Sequence, residues 1–306
     1  MAVILDNVTY QPTRQPDFFT KLMFSNKTSE HVNIIPNVKY KTLLNTSSIE
    51  DDLLQFDGLG TCGWTPSGDV KFSERELEVK PYKVNFEQCL AEFEKSWIGE
   101  IMKPGANLDE LPSEVEDQIM YLVQKKIGKE IEAKIWNGVA SATDIDGFIT
   151  VLDNATDTIK VAGVALTKAN ILGEFEKIFL AQSEDVIDAS EDGELKFYVS
   201  KKAEKLIKLA LADTNNSNIV INQNWLNTGD SISYMGYEVV ALSGIPSDVM
   251  VFANWHNLAY GTDLISDETE LRTGMFPQPE DDKYFVKGRL KLGVQVAFPD
   301  EVVLYK

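Results

Sequence analysis

The chain has 306 residues, 43% of them hydrophobic and 25% charged, which is enough for one or two globular domains with a sizeable core. Its 48 acidic and 29 basic residues give a net charge of −19, which argues against tight binding to DNA phosphates, since such binding requires clustered lysine and arginine. No apolar run reaches the length of a membrane span, and the first residues lack the basic and apolar regions of a signal peptide.

The first 57 residues are weakly patterned, and we predict that they form an extended arm. Pro12, Pro16 and Pro36 interrupt the segment, and short strands are predicted at 33–35 and 38–44. An arm of this length cannot bury its apolar residues alone. We therefore expect it to lie on the body of its own subunit or on a neighbour.

A glycine-rich segment at 58–63, with the sequence GLGTCG, has the spacing of a dinucleotide-binding turn. That function requires a buried strand before the turn and a helix after it. Residues 49–57 are too acidic for a buried strand, and Pro66 and Gly68 prevent a helix. We interpret the segment as a hinge.

Apolar and charged residues alternate from Val70 to Phe86, which predicts a long antiparallel hairpin. Too few of these residues are apolar for a place in the core, so the hairpin is expected to project from the body. The candidate contacts with neighbouring subunits are Trp64, Phe72, Leu77 and Val79. The alternative, that each of these packs within its own subunit, stays open.

Two helices are predicted after the hairpin. Apolar residues at helical spacing indicate a helix over 86–102, and a longer helix is predicted over 112–137, closed by Gly138. In the longer helix, apolar residues recur every fourth position from Val115 to Ile135. Such a stripe is typical of a long helix laid across a sheet.

The middle of the chain, residues 140–245, is predicted to be an α/β unit. Thr167 and Ser200 are each predicted to cap a helix. Strands are predicted at 148–152, 159–161, 195–199 and 232–242.

The most regular pattern lies near the C-terminus. Apolar residues occupy every second position from Leu290 to Phe298, which predicts a strand with one buried face. A last apolar strand is predicted at 302–305. The C-terminal strands are therefore expected to be part of the core.

Residues that could carry catalysis or bind metal are few and scattered. Cys62 and Cys89 are interpreted as reduced thiols, and with His31 and His256 they have no zinc-ligand spacing. Residues 144–147 resemble the start of a calcium loop, but the expected glutamate at its twelfth position is missing. We predict no catalytic, cofactor or metal site. Because carboxylates are abundant, an acidic-site hydrolase remains an alternative, although they are spread so evenly that no pair stands out.

Three C-terminal runs and the order of the elements resemble the major capsid proteins of tailed bacteriophages with the Hong Kong 97-type fold. The runs are GIPSDVMVFA at 244–253, NLAYGTD at 257–263 and AFPDEVVLY at 297–305. The resemblance covers nearly the whole chain and implies an α+β fold. Its parts would be an N-terminal arm at 1–57, an extended β-hairpin (E-loop) at 58–86, a peripheral domain with a long spine helix at 87–139 and 246–306, and an α/β axial domain at 140–245.

The resemblance also implies a function. Such a protein is a subunit that self-assembles as hexamers and pentamers, in the host cytoplasm, into the icosahedral shell of the virion. The shell encloses double-stranded DNA without sequence-specific binding and without a membrane. A portal protein is an implied partner, and so is a separate scaffold protein, because no long helical scaffold segment precedes the arm. An encapsulin-like compartment shell of the same fold is the alternative.

Overall fold

The computed structural model of this chain describes residues 27–49, 67–89, 113–141, 144–214, 232–263, 272–275 and 283–306. These residues form a five-stranded sheet, a six-stranded sheet and a two-stranded ribbon. Helices pack on the two larger sheets and bury two hydrophobic clusters. This is the mixed α+β composition that the sequence predicts.

The five-stranded sheet is built around one long strand, β12, whose even-numbered residues face the core. Leu290, Leu292, Val294 and Val296 are all buried, as their spacing predicts, and the strand ends at Val296. The strands of this sheet are β1 (Asn33–Ile35), β4 (Lys80–Cys89), β10 (Leu258–Gly261), β11 (Arg272–Met275) and β12 (Lys283–Val296).

The predicted long helix is present as α1, Ser113–Asn137. Its buried Ile131 and Ile135 belong to one hydrophobic cluster with Leu290 and Leu292 of β12. The helix therefore packs on the core face of the five-stranded sheet, as its apolar stripe indicates.

One predicted strand is a helix. The segment predicted as a strand at 148–152 forms α2, Phe148–Asn154, which buries Phe148, Ile149 and Leu152. A short run rich in β-branched residues does not distinguish a buried strand from a buried helix by periodicity. Here the i, i+1, i+4 spacing of the buried side chains fits one face of a helix.

The six-stranded sheet has the strand order β5–β13–β9–β6–β8–β7. Its strands are β5 (Ile159–Val161), β6 (Leu195–Ser200), β7 (Ile232–Tyr234), β8 (Tyr237–Leu242), β9 (Met250–Asn254) and β13 (Val303–Tyr305). The helices in this part of the chain are α3 (Ile171–Ala181), α4 (Glu184–Ala189) and α5 (Lys201–Thr214). The predicted strand over 232–242 is thus two strands, joined at Met235 and Gly236, whose φ angles of 52° and 93° fit a tight hairpin turn.

One of the two predicted helix caps is confirmed. The Ser200 hydroxyl accepts a hydrogen bond from the Ala203 amide at 3.1 Å at the start of α5. The other helix, α3, begins at Ile171, and the Asn170 side chain accepts a hydrogen bond from the Thr167 amide at 2.7 Å. Thr167 is therefore not the cap.

The six-stranded sheet crosses the predicted domain boundary at residue 245. Strands β9 and β13, from the segment assigned to the peripheral domain, pair with β6 and β5 from the predicted axial domain. The C-terminal strand is therefore in the core, as expected, but in the other sheet. The division into axial and peripheral domains remains a prediction.

The predicted hairpin over 70–86 has a different strand pairing. Strand β3 (Val70–Glu78) pairs antiparallel with β2 (Lys41–Ile49), whereas β4 pairs with β12. Only Val79 separates β3 from β4, which leaves no room for a two-residue hairpin turn. Residues 86–89 are part of β4 and not of a helix, and the rest of the helix predicted over 86–102 lies outside the described residues.

Candidate assembly interface

The two-stranded ribbon formed by β2 and β3 is the part of the chain that fits an intermolecular contact best. Its register runs from Lys41 opposite Glu78 to Ile49 opposite Val70. Residues directly opposite each other project to the same side of a ribbon. One side, which we call the ribbon face, therefore consists of Lys41, Leu43, Asn45, Ser47, Ile49, Val70, Phe72, Glu74, Glu76 and Glu78.

The ribbon face carries four large apolar side chains that the subunit leaves uncovered. Leu43 is 53% exposed, Ile49 51%, Val70 54% and Phe72 80%. Scattered single apolar residues are ordinary on a protein surface, but a group on one face of a projecting element indicates a binding surface. Three glutamates, at 74, 76 and 78, follow on the same face. Lys41, on the same face, forms ion pairs with Glu76 and Glu78. The ribbon face thus has an apolar end and a charged end.

The end of the ribbon that joins the five-stranded sheet, at Leu77 and Val79, is buried in its own subunit, and we call this end the root. Leu77 is 0% exposed and lies against Gly261 of β10, and Val79 is 1% exposed and lies against both Gly261 and Gly293 of β12. With no accessible surface left, these two residues cannot contact a neighbour, which corrects their assignment as inter-subunit contacts. Of the other two candidates, Phe72 is exposed, and Trp64 lies outside the described residues.

Polar contacts fix the root in place on the sheet. The Val79 amide donates to the Tyr40 carbonyl at 2.9 Å, and the Gln295 side chain donates to the Glu76 carbonyl at 2.8 Å. Asp263 forms ion pairs with Lys39 and Lys291, and hydrogen bonds from these two lysines hold the pKa of its carboxyl below the ordinary range. These contacts hold the root of the ribbon against the five-stranded sheet.

The part of the predicted arm at residues 27–35 lies on its own subunit. Buried Glu132 of α1 accepts a hydrogen bond from the Lys27 amide at 2.6 Å and two more from Ser243. The Trp136 indole donates to the Thr28 hydroxyl at 3.0 Å. One buried carboxylate thus joins the arm, the long helix and the loop after β8.

The segment that resembles a calcium loop forms a structural network. Asp144 accepts hydrogen bonds from the Lys134 ammonium and the Tyr82 hydroxyl, each at 2.7 Å. Burial alone would raise the pKa of Asp144, but these hydrogen bonds outweigh it and hold the pKa below the ordinary 3.8. In the part of the chain that the structure describes, no group of three or more His, Cys, Asp or Glu could hold a metal ion.

The two histidines make separate contacts in the structure. His256 is at the surface, its ring stacked on Trp255 at a centroid distance of 3.6 Å and its Nε2 3.6 Å from a Glu194 oxygen. The His31 carbonyl accepts a hydrogen bond from the Tyr198 hydroxyl at 2.6 Å. Among the described helices, none is long and apolar enough to cross a membrane.

Comparison with solved structures identifies the fold. A chain from the capsid of the native GTA particle aligns with a TM-score of 0.64 at 11% identity, covering 97% of this chain and 95% of that chain. A chain from the capsid of Myoviridae phage XM1 aligns with a TM-score of 0.61 at 9% identity, over 96% of each chain. A chain from Mycobacterium phage Che8 aligns with a TM-score of 0.59 at 10% identity, over 97% of each chain. No protein-family model matches the sequence, and a search of curated proteins finds no match.

Proposed function

We propose, from the phage-capsid fold of this chain, that it is the major capsid protein of a tailed bacteriophage. In this proposal the chain self-assembles as hexamers and pentamers into the icosahedral shell of the virion. The observation that carries the proposal is the alignment with capsid chains over 97% of the sequence. The same alignment favours a structural role over the acidic-site hydrolase, because it extends over the whole chain and not over a local site.

The ribbon supports this function because it needs a partner. An exposed apolar face on a projecting element is unfavourable in a protein that works alone. Repetition of a contact between two different surfaces of one protein generates a ring when the rotation closes. Obligate contacts of this kind bury upwards of about 2,000 Å². Phe72 is the leading candidate for a residue in this contact, and Trp64 remains a prediction.

The charge of the chain fits a container for DNA better than a DNA-binding protein. A net charge of −19 repels the phosphate backbone, so the enclosed double-stranded DNA would be confined without sequence-specific contacts. Assembly in the host cytoplasm with a separate scaffold protein and a portal protein belongs to the same proposal.

Expression followed by electron microscopy tests the function. The purified protein, alone or together with the phage's scaffold protein, should form shells, tubes, or rings of five and six subunits. A stable monomer at high concentration, with no rings even in the presence of scaffold, would contradict the proposal. Closed particles that hold a cargo enzyme in the native host would instead identify a compartment shell.

A further inference from the structure

The arm segment at residues 27–35 is held on its own subunit by contacts that include a titratable side chain, His31. The Lys196 ammonium of β6 lies 3.5 Å from Nδ1 of His31. The backbone of His31 is held in the same place, because its carbonyl accepts a hydrogen bond from the Tyr198 hydroxyl at 2.6 Å. Lys196 and Tyr198 are two residues apart on β6 and project to the same side. This side of β6 is therefore the surface on which the segment lies.

A neutral His31 ring fits this place and a protonated ring does not. An ammonium group can only donate a hydrogen bond, so Nδ1 of His31 can accept one from Lys196 only while that nitrogen carries no proton. Protonation turns Nδ1 into a donor and places a second cation 3.5 Å from the ammonium. The side chain of Lys196 is only 15% exposed, so water screens the two charges poorly.

The other charged groups around His31 do not cancel this repulsion. Glu238 of β8 lies directly opposite Lys196 in the sheet and forms an ion pair with it at 2.9 Å, so its carboxylate would have to serve two cations. Within the arm, Glu30 favours the charged ring and Lys27 opposes it. The balance is that burial first, and then the ammonium of Lys196, hold the pKa of His31 below the ordinary 6.5.

The second histidine of the chain, His256, has different surroundings. Its ring is stacked on Trp255, and its Nε2 lies 3.6 Å from an oxygen of Glu194, a partner that favours the charged ring. The arm contacts His256 through the backbone carbonyl of that residue, which accepts a hydrogen bond from the Asn33 side chain at 3.3 Å. Because the sequence contains two histidines, a change in the arm between about pH 5 and 7 can be assigned by substituting one residue at a time.

His31 lies between two other attachments of the same segment. Before it, the Thr28 hydroxyl accepts a hydrogen bond from the Trp136 indole at 3.0 Å. After it, β1 pairs with β10 at the end of the five-stranded sheet through three residues. Short segments with few contacts open locally at a low cost in free energy. Repulsion at His31, in the middle of the segment, should therefore loosen the attachments on both sides.

We infer that His31 and Lys196 form a proton-sensitive clasp, which holds residues 27–35 on their own subunit while His31 is neutral and loosens when His31 is protonated. The inference concerns the single chain and does not rest on the proposed function. The direction follows from the lowered pKa of His31. The attachment is fully present above the pKa of an exposed histidine, about 6.5, and is lost as the pH falls through the lower pKa of the attached arm.

Hydrogen exchange read by mass spectrometry tests the clasp on the full-length protein, whether or not it is assembled. Exchange at the imidazole Cε1 gives the pKa of each histidine, and His31 should titrate below about 6.5. Backbone exchange over residues 27–35, divided by the intrinsic rate at each pH, gives the equilibrium for opening of the arm. That equilibrium should rise below about pH 6.5, by a factor equal to the ratio of the acid dissociation constants of His31 in the attached arm and of an exposed histidine.

Four substitutions separate the clasp from other effects of pH. His31→Gln keeps a neutral side chain throughout and should abolish the rise. His31→Lys carries a charge throughout, so its arm should be as open at about pH 8 as the wild-type arm is at about pH 5. Lys196→Met should raise the pKa of His31 and make the rise smaller. His256→Gln is the matched control, because it removes the other histidine and should leave the pKa of His31 and the opening of the arm unchanged.

The possible outcomes decide the inference without reference to the shell. It is wrong if His31 titrates at or above about 6.5, or if the arm of His31→Gln opens at acid pH as much as the wild-type arm. A rise that persists in His31→Gln and disappears in His256→Gln would assign the effect to His256 instead. Melting at neutral pH monitors folding, and if Lys196→Met melts well below the wild type, the two His31 variants decide the test. Electron microscopy of particles tests the proposed function separately.

Discussion

Gly261 of β10 and Gly293 of β12 lie directly opposite each other, and together they form the notch that holds the root of the ribbon. A Cβ atom at Gly261 would lie 2.9 Å from a methyl carbon of Leu77, and one at Gly293 would collide with the backbone carbonyl of Glu78. The close approach of β3 to the sheet therefore depends on the absence of two side chains.

Gly293→Ala should destabilise the subunit more than Gly261→Ala. The collision at Gly293 is with backbone, which cannot move without shifting β3, whereas the Leu77 side chain can rotate away. We expect the free energy of unfolding to fall by about 2–3 kcal/mol for Gly293→Ala and by about 1 kcal/mol for Gly261→Ala, measured by urea unfolding of the unassembled subunit.

Gly173→Ala is the matched control for these substitutions. It lies in α3 with open space around its Cα, so alanine should raise the free energy of unfolding by about 0.5–1 kcal/mol. If alanine at Gly261 and Gly293 changed the free energy of unfolding in the same way as alanine at Gly173, the notch would not position β3.

Two leucines of the same ribbon should separate folding from assembly. Leu77→Ala removes a fully buried side chain and should lower the free energy of unfolding by about 2–5 kcal/mol. Leu43→Ala, at a position 53% exposed, should leave unfolding unchanged within about 0.5 kcal/mol but raise the concentration needed for particles. Particle formation by Leu43→Ala at wild-type concentration would show that the apolar end of the ribbon face is not an interface.

The features that the sequence predicts correctly are those with a long, regular period. The alternation from Leu290 to Val296 and the apolar repeat through Ile131 and Ile135 extend over many residues, and each fits only one element type. The sequence also identifies Ser200 as a helix cap, because a capping hydroxyl accepts its hydrogen bond from an amide only three residues further along the chain.

The features that sequence reasoning misses depend on contacts between distant segments. Nothing local in 70–78 distinguishes pairing with 80–89 from pairing with 41–49, since both partners alternate. Leu77 is buried where β3 lies against Gly261 of β10, whereas Phe72 lies on the opposite side of β3 and further along the ribbon. A two-residue periodicity predicts two faces of a strand, and the sheet topology decides which is covered.

Glu132→Ala should loosen the arm. The substitution leaves the backbone amides of Lys27 and Ser243 without their hydrogen-bond acceptor, the buried Glu132 carboxylate. We expect the free energy of unfolding to fall by about 1–3 kcal/mol. Limited proteolysis should then cleave the arm faster than in the wild type. Glu130→Ala is the control on the same helix, because Glu130 is exposed and, among the described residues, its ion pair is with Lys126 at the surface. An unchanged cleavage rate for Glu132→Ala would mean that other contacts, such as Trp136 with Thr28, hold the arm alone.

The Asp144 network should make the subunit sensitive to acid. Because hydrogen bonds from Lys134 and Tyr82 outweigh burial and lower the pKa of Asp144 below 3.8, ionised Asp144 stabilises the folded state. That stability is fully present above the pKa of the unfolded chain, about 3.9, and is lost as the pH falls through the lower pKa of the folded state. Asp144→Asn should lower the free energy of unfolding by about 1 kcal/mol at neutral pH, and the difference from wild type should shrink below about pH 4. Asp157→Asn, which removes an exposed carboxylate, is the control for the loss of one charge. An Asp144→Asn difference that stays constant down to low pH would contradict an electrostatic role.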